Sequence, residues 1–345
     1  MYIHGDVQMT ILVTGGAGYI GSHCALALME AGYDIAIYDN LSTGHMETVE
    51  TLSKLNLEGR MTSFIQGDLC DREWTMQALG SQKFDAVVHF AAFSQVAESV
   101  KDPGKYYYNN VGGTINLLDA MRRNGTDKIV FSSTAATYGE PEYTPIDEKH
   151  PQNPINPYGS SKLMVERIMD DYDTAYGLRS VRLRYFNVAG ADSKERVGEW
   201  HEPETHLIPN ILKSTFAGAS DFKMFGTDYP TRDGTCVRDY VNVEDLARAH
   251  VLALRYLEKG GKTTYVNLGT SNGSTVKEVF DECEHVVGKK IPVQKCDRRP
   301  GDPAILIADN SKANEVLGWK PEKTLNDSVS SAYCWEQELQ KRLLH

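Results

Sequence analysis

The sequence predicts an α/β fold in which a doubly wound parallel sheet is joined to a smaller, discontinuous α/β domain. Two observations support this prediction. Short apolar segments alternate with helical segments through the first half of the 345-residue chain, and such alternation is typical of a parallel sheet covered by helices on both faces. A turn with three glycines follows the first apolar segment, at the edge where such sheets bind ligands.

The predicted elements follow one another without internal repeats. Six strands are predicted, at residues 11–14, 34–39, 62–68, 84–92, 127–133 and 180–186. Long helices are predicted at 112–123 and 160–176. Because the carboxyl ends of parallel strands meet at one edge of the sheet, Asp39, Asp68 and Ser132 should lie close together there.

The first strand, turn and helix have the layout that holds a pyrophosphate. Gly15 permits the tight turn, Gly18 lets the backbone approach the phosphates, and Gly21 lets the helix pack on the strand. The amides at the start of the helix face the anion. The second strand ends at Asp39, whose carboxylate would accept hydrogen bonds from a ribose and repel a 2′-phosphate. These features indicate a Rossmann-type sheet that binds NAD rather than NADP.

The composition of the chain changes after Asn187. Residues 188–237 are rich in Gly, Pro, Asp and Glu and contain one helical segment, near 208–217. Regular elements return at 237–243, 244–258 and 264–268. We therefore predict an NAD-binding domain of residues 9–187 plus 238–270, and a second domain of residues 188–237 plus 271–345.

Charge and composition narrow the classes of partner. The net charge of −11 argues against nucleic acid or an anionic membrane as the main partner. The six cysteines are scattered without a C-x-x-C pair, which predicts reduced thiols. Residues 1–8 have no apolar targeting core, and no apolar run approaches membrane length. A cytoplasmic location is expected.

Tyr158 and Lys162 are four residues apart in a predicted helix and so share a face, with Cβ atoms roughly 5–6 Å apart. A tyrosine titrates near ~10, so a tyrosine base at neutral pH needs about 4 kcal/mol of phenolate stabilisation. An ammonium at about 5 Å supplies roughly 3 kcal/mol at an effective dielectric near 20, and a bound cationic nicotinamide adds to it. The pair predicts a catalytic base beside NAD; an ordinary exposed helical pair is the alternative.

Further motifs extend this pattern over nearly the whole chain from Met9. They are residues 14–21 (TGGAGYIG), 38–42 (YDNLS), 89–92 (HFAA), 107–111 (YYNNV), 183–187 (LRYFN), 237–240 (VRDY) and 298–302 (RRPGD). Together with Tyr158 and Lys162 they resemble the extended short-chain dehydrogenase/reductase family, most closely its branch of UDP-sugar 4-epimerases. The resemblance implies that the chain interconverts UDP-galactose and UDP-glucose by transient oxidation at C4 of the sugar, and that it forms a homodimer.

The resemblance also implies roles for individual residues. Tyr158 would be the base, Thr134 would hydrogen-bond the sugar O4, and Lys162 would hold the nicotinamide ribose. Contacts to the cofactor are assigned to the glycine motif and to residues further along the chain. They are Gly15, Gly18, Tyr19, Ile20, Gly21, Asp39, Asn40, Asp68, Leu69, Phe90, Ala91, Ala92, Asn110, Ser132, Tyr158, Lys162, Tyr185 and Phe186. Contacts to the UDP-sugar are assigned to Thr134, Asn187, His206, Leu207, Phe222, Phe225, Arg238, Tyr240, Arg299, Asp302 and Leu306.

Several of these assignments have alternatives. Phe222 and Phe225 would flank the uracil or would be ordinary core aromatics. Leu306 corresponds to the family position beside the 2-substituent of the sugar, where a side chain of intermediate size predicts weak turnover of N-acetylated sugars; alternatively it packs in the core as a strand residue. The chain departs from the family at Thr134, which is usually Ser, and at Ser94, which is often Lys.

The segment from His201 to His206 superficially matches the zincin motif H-E-x-x-H. Its spacing is one residue too long, and Pro203 would break the helix that aligns the two ligands. We therefore expect no catalytic metal there.

Two other functions compete with the epimerase prediction. A 4,6-dehydratase of the same family carries Asp-Glu directly after the threonine, whereas this chain has Ala135 and Ala136; elimination without a general acid would be slow. A non-catalytic dinucleotide-binding regulator would not need Tyr158, Lys162 and Thr134 together.

Overall fold

The computed structural model describes residues 9–55, 57–216, 221–298 and 303–343. The strands in chain order are β1 Thr10–Thr14, β2 Asp34–Asp39, β3 Met61–Gln66, β4 Ala86–His89, β5 Lys128–Thr134, β6 Arg179–Tyr185, β7 Asn187–Ala189, β8 Phe222–Phe225, β9 Val237–Arg238, β10 Tyr240–Asn242, β11 Thr264–Leu268, β12 Ser274–Thr275, β13 Val293–Cys296 and β14 Ile305–Leu306. The helices are α1 Tyr19–Glu30, α2 Met46–Leu55, α3 Arg72–Gly80, α4 Val96–Lys101, α5 Pro103–Tyr106, α6 Gly113–Asn124, α7 Pro157–Tyr176, α8 Leu207–Lys213, α9 Val243–Glu258, α10 Val276–Val287, α11 Ser311–Leu317 and α12 Leu325–Leu343.

A seven-stranded parallel sheet organises the molecule, in the order β11-β6-β5-β4-β1-β2-β3. Both of its faces are covered. Ile11 and Val13 pack into one hydrophobic core, Leu12 packs into the core on the opposite face, and all three are fully buried. A strand that is buried on both faces needs a continuous apolar run, which is why residues 11–13 could be recognised in the sequence. The predicted fold class is confirmed.

Several predicted boundaries need correction. The predicted strands 62–68 and 84–92 end early, at Gln66 and His89. Helix α7 begins at Pro157 because Asn156 caps it: the Asn156 side-chain oxygen accepts the Gly159 N–H at 2.8 Å.

The predicted strand 237–243 is broken at Asp239. The Asp239 carboxylate accepts backbone N–H groups from Thr270, Ser271 and Ala308. As a result β9 pairs with β12 and β14, whereas β10 pairs with β7.

The remaining elements form small sheets beside the main one. β8 pairs with β13, and β9 lies between β12 and β14. Side chains from α8, α10 and α12 meet in a third core with Ile211, Val279 and Val329, all fully buried. Within the described residues, no helix is both long enough and apolar enough to cross a membrane.

Candidate active site

A cavity of about 1240 Å³ opens at the carboxyl ends of the sheet strands and extends to the small sheets. It is larger than the roughly 300–1,000 Å³ typical of a site for a single small molecule. Its lining includes the glycine turn after β1, which we call the first wall, Tyr158 and Thr134 from α7 and β5, and Arg238 and Leu306 from β9 and β14, which we call the opposite wall. The cavity is therefore large enough for more than one small molecule.

The glycine turn closes tightly around its own backbone. Gly15 has φ +73°, and a Cβ there would lie 2.6 Å from Ala91 N. A Cβ on Gly21 would lie 2.1 Å from Gly15 O, whereas one on Gly18 would meet only Gly15 O, at 3.5 Å. Gly15 and Gly21 are thus required by the protein's own packing, while Gly18 leaves its backbone open toward the cavity. This is the shape that admits a pyrophosphate at the start of α1.

Asp39 ends β2 and has a second role beyond the one that the sequence predicts. Its Oδ2 accepts the Ala17 N–H at 2.9 Å and its Oδ1 accepts the Leu41 N–H at 2.8 Å. Burial raises the pKa of this carboxyl, and these N–H donors oppose that shift. Nearby, the Asn40 amide donates to Asp68 Oδ2 at 3.0 Å. The carboxylate therefore holds the glycine turn in shape as well as lining the cavity.

Asn110, which the resemblance assigns to the cofactor, is held by the residues around it. It is 2% exposed and lies in a π-helical turn, Tyr107–Gly112. Its side chain accepts the Phe93 N–H at 2.9 Å and donates to Phe93 O at 3.0 Å and to Ser161 Oγ at 3.1 Å. These hydrogen bonds attach the loop after β4 to α7. Asn110 therefore supports the residues that line the cavity.

Tyr158, Thr134 and Lys162 all line the cavity. Burial raises the pKa of Tyr158 to about 12, and the nearby Thr134 side chain opposes that shift. Lys162 is 3% exposed; its ammonium donates to Ser132 O at 2.8 Å. Burial lowers the pKa of Lys162 to about 7, and the nearby Glu166 carboxylate opposes that shift.

The pKa of Tyr158 thus moves in the direction opposite to the one that a base needs. Bringing a phenol from about 12 to near neutral requires about 7 kcal/mol of phenolate stabilisation. That is more than the roughly 4 kcal/mol expected for an unperturbed tyrosine. A cationic ring bound against Tyr158 would supply part of the difference, because charges interact strongly where water is excluded.

A buried ionic network behind this centre was missed by the sequence analysis. Glu166 Oε1 accepts Ser133 Oγ–H at 2.5 Å and Arg184 Nε–H at 2.9 Å, and the Glu166 and Arg184 side chains are each 2% exposed. Arg184 also donates to the Tyr138 hydroxyl at 2.9 Å. The network connects β5 and β6 to α7. Of these elements, β5 carries Thr134 and α7 carries Tyr158. The sequence contains one signal of this network: Arg184 lies inside a predicted apolar strand, and a buried charge needs a partner.

The opposite wall contains most of the residues that were assigned to the sugar nucleotide. Asn187, His206, Leu207, Phe222, Phe225, Arg238, Tyr240 and Leu306 all line the cavity. Arg299 and Asp302 lie outside the described residues. Phe222 lines the cavity and also stacks on Phe280, with ring centroids 5.8 Å apart, in the third core. Leu306 is a half-buried residue of β14 that faces the cavity.

The two histidines that we expected to stay apart meet in a loop. His201 Nδ1 lies 3.1 Å and His206 Nδ1 2.6 Å from Glu199 Oε1, and the two rings are 5.3 Å apart. The segment is not helical, as Pro203 predicts, but the loop brings both rings to one carboxylate all the same. Interaction with Glu199 and Glu204 raises the pKa of His206 to about 10 against the effect of burial.

Comparisons with known proteins agree with this arrangement. The model of the GDP-mannose 4,6 dehydratase family matches residues 12–332. A UDP-glucose 4-epimerase from Lacticaseibacillus casei is 49% identical over 330 residues, covering 95% of this chain and 97% of the relative. The crystal structure of UDP-glucose 4-epimerase from Brucella ovis in complex with NAD has 46% identity and a TM-score of 0.89, covering 94% of this chain and 98% of that one. A structure from Stenotrophomonas maltophila with bound NAD and formylated UDP-arabinopyranose has 38% identity and a TM-score of 0.93, covering 97% of this chain and 100% of that one.

Proposed function

The chain belongs to the UDP-glucose 4-epimerases of the extended short-chain dehydrogenase/reductase family, and from that premise we propose that its cavity interconverts UDP-galactose and UDP-glucose. The observation that carries the proposal is that Tyr158 and Thr134 line the same cavity as the glycine turn and Arg238. The family that the motifs predicted is thereby confirmed.

The residues on the first wall fit NAD. A Cβ would be excluded at Gly15 and Gly21, while Gly18 leaves its backbone open to the pyrophosphate. Asp39, Asn40, Asp68 and Leu69 line the part of the cavity that would receive the adenosine, and Phe90 to Ala92, Tyr185 and Phe186 line the part toward Tyr158. NAD supplies the oxidising power of the reaction, since it takes up the C4 hydride and gives it back.

Protein side chains, and not the cofactor, carry out the proton transfer. Tyr158 takes the proton from the 4-hydroxyl of the sugar and later returns it, and Thr134 hydrogen-bonds the same oxygen. Lys162 holds one face of the site through its bond to Ser132 O and places its ammonium one helical turn from the phenol. Because no proton or hydride is lost overall, the reaction consumes no cofactor.

Inversion at C4 requires that the flat 4-keto sugar present its other face. The opposite wall supports this step because Arg238, 7% exposed, offers a planar fork of donors suited to a diphosphate. By the resemblance, Arg299 adds a second fork. A diphosphate held there lets the sugar ring turn between Leu306 and Tyr158 without leaving the cavity.

The dehydratase alternative is not favoured by the residues at the centre of the cavity, although the matching family model has a dehydratase description. Ala135 and Ala136 follow Thr134 and line the cavity where a dehydratase needs its acid and base. Elimination across C5 and C6 has no general acid at those two positions.

Three finer predictions remain proposals. The division into residues 9–187 plus 238–270 and residues 188–237 plus 271–345 is supported by the separate third core. A homodimer is supported by apolar side chains on the outer faces of α6 and α7, where Ile115 is 36% and Met164 44% exposed. A cytoplasmic location rests on the sequence alone.

The test is to mix the purified chain with UDP-galactose and follow both products and cofactor. We expect UDP-glucose to form up to an equilibrium mixture, with no net NADH. A 4-keto-6-deoxy sugar would identify a dehydratase, and NADH accumulating with turnover would identify a dehydrogenase. Retention of NAD without any product would leave only a dinucleotide-binding protein.

A further inference from the structure

We propose that Glu199, His201, Glu204 and His206 form a binding site for one divalent transition-metal ion of the Zn²⁺ class. The four side chains, referred to below as the 199–206 cluster, each offer one ligand atom, and these atoms all lie within 4.8 Å of one another. Two imidazole nitrogens and two carboxylate oxygens form a donor set that suits Zn²⁺. The inference is independent of the proposed reaction, which needs no metal.

The spacing of the donor atoms is close to that around a tetrahedral ion. Ligand atoms about 2.0–2.2 Å from a tetrahedral zinc lie roughly 3.4 Å from one another. His201 Nδ1 is 3.1 Å from Glu199 Oε1, and His206 Nδ1 is 2.6 Å from Glu199 Oε1 and 3.2 Å from Glu204 Oε1. Binding of an ion would lengthen these three separations and draw together any donor pair that lies nearer to the 4.8 Å limit.

The protein's own hydrogen bonds do not fully satisfy this cluster. The single Nδ1–H of His206 faces carboxylate oxygens of both Glu199 and Glu204, and one proton serves two acceptors poorly. Glu204 has a side chain that is 5% exposed, and its Oε2 has no hydrogen-bond donor within the described residues; Lys213 Nζ lies 3.8 Å away. A metal cation would add positive charge beside these two carboxylates and give Glu204 Oε2 a partner.

The loop that carries the cluster is held in place before any ion binds. Trp335 Nε1–H donates to Glu199 O at 2.8 Å, and Trp200 stacks on His45 with ring centroids 3.6 Å apart. The backbone N–H groups of Thr205 and His206 donate to Glu204 Oε1. A site that is organised in this way binds an ion without a large cost of ordering.

The cluster also adjoins the cavity. Glu199, His201 and His206 belong to its lining, so an ion there would fasten both ends of the 199–206 loop beside the sugar-nucleotide wall. It would act on the rigidity of that wall rather than on the chemistry at Tyr158.

The experiment is a calorimetric titration of Zn²⁺ into the chelator-treated, NAD-loaded full chain, repeated with Co²⁺ while its visible absorption is recorded. We expect one ion per chain and the intense visible bands of tetrahedral Co²⁺. His201→Ala and Glu204→Gln should each weaken binding more than about 100-fold, since even loss of an outer-shell partner costs 10–100-fold. His201 is 24% exposed, so its truncation should leave the fold intact, which circular dichroism checks.

Two variants serve as matched controls. His285→Ala removes an exposed histidine near Asp281 and Glu284, whose carboxylates are paired with Lys277 and Lys290. Cys70→Ser removes a half-buried thiol. Both should bind Zn²⁺ like the parent chain. The proposal is overturned if no saturable one-to-one binding occurs, or if His201→Ala and Glu204→Gln bind as the parent does; either result would mark the cluster as a hydrogen-bonded network only. Neither readout depends on epimerase activity.

Discussion

The two walls of the cavity are built by different means. The wall of β1, β2 and α1 is made from backbone, and a single added carbon at Gly21 would come within 2.1 Å of Gly15 O. The wall of β7, β9, β14 and α8 is made from side chains on short elements, where Asn187 in β7 is exposed and His206, just before α8, is about half exposed. The backbone wall recognises a ligand through the shape of the main chain. The side-chain wall does so through chemical groups that a substitution can exchange.

Substitutions on the two walls should therefore have different effects. Substitutions on the backbone wall should change folding and cofactor retention, because nothing there can move independently. Substitutions on the side-chain wall should change which sugar is accepted while the fold persists. Tyr158 lies between the walls and should affect only the chemistry.

The largest expected effect is that of Tyr158→Phe. The change removes one hydroxyl from a buried ring and leaves both walls in place, so the variant should fold and retain NAD. Its epimerase rate should fall by roughly 10²–10⁴, the usual contribution of a positioned acid–base group. The measurement is kcat for UDP-galactose together with bound NAD.

Tyr172→Phe is the matched control for this variant, because it removes a hydroxyl from the same helix where the Tyr172 hydroxyl donates to Asp119 at 2.9 Å. It should keep full activity. A Tyr158→Phe rate within about tenfold of the parent would remove Tyr158 from the role of base.

Leu306 tests the side-chain wall. Leu306→Ser enlarges the space beside the 2-substituent and should raise the activity on N-acetylated UDP-sugars, relative to UDP-galactose, by roughly ten- to a hundredfold. Leu306→Tyr should abolish the N-acetyl activity with little loss on UDP-galactose. The ratio of kcat/KM for the two substrates measures both effects.

Ile305→Val is the control on the same strand, because Ile305 is outside the cavity lining. Unchanged ratios in both Leu306 variants would show that the Leu306 side chain does not meet the sugar.

Gly21→Ala and Gly18→Ala test the backbone wall. The new methyl group at Gly21 collides with Gly15 O, so the free energy of unfolding should fall by about 1–3 kcal/mol. The methyl group at Gly18 meets only Gly15 O at 3.5 Å, an ordinary contact. Gly18→Ala should therefore keep its stability and lose NAD affinity. Urea unfolding without NAD and titration with NAD separate the two outcomes; equal stability of Gly21→Ala and the parent would contradict the account.

The smallest effect at neutral pH concerns Lys162. Burial lowers its pKa to about 7 in the folded chain, whereas an unfolded lysine titrates near ~10.4. Between these values the unfolded chain binds more protons, so the free energy of unfolding without NAD should rise with pH by at most about 1.4 kcal/mol per unit. Lys162→Met should remove this rise. Lys83→Met, at a side chain that is 81% exposed, is the control. Parallel pH curves for Lys162→Met and the parent would contradict the prediction.

The same contrast explains what could be predicted from sequence. The glycine turn and β1 are contiguous, and their backbone requirements are visible in residue types, so the fold class and the cofactor, NAD, were predicted correctly. The break at Asp239 was not, because its cause is N–H donors 31, 32 and 69 residues away. The buried Glu166–Arg184 pair and the 199–206 cluster likewise depend on contacts that only the folded chain creates.

The most direct test of the central claim follows the hydrogen at C4 of the sugar. UDP-galactose labelled with deuterium at C4 is converted by the enzyme in ordinary water, and the UDP-glucose is analysed by mass spectrometry and NMR. The account predicts that the deuterium stays at C4 of the product and that no NADH is released, because the hydride passes only between the sugar and the bound NAD. Loss of the deuterium to water, or its appearance in free NADH, would contradict it.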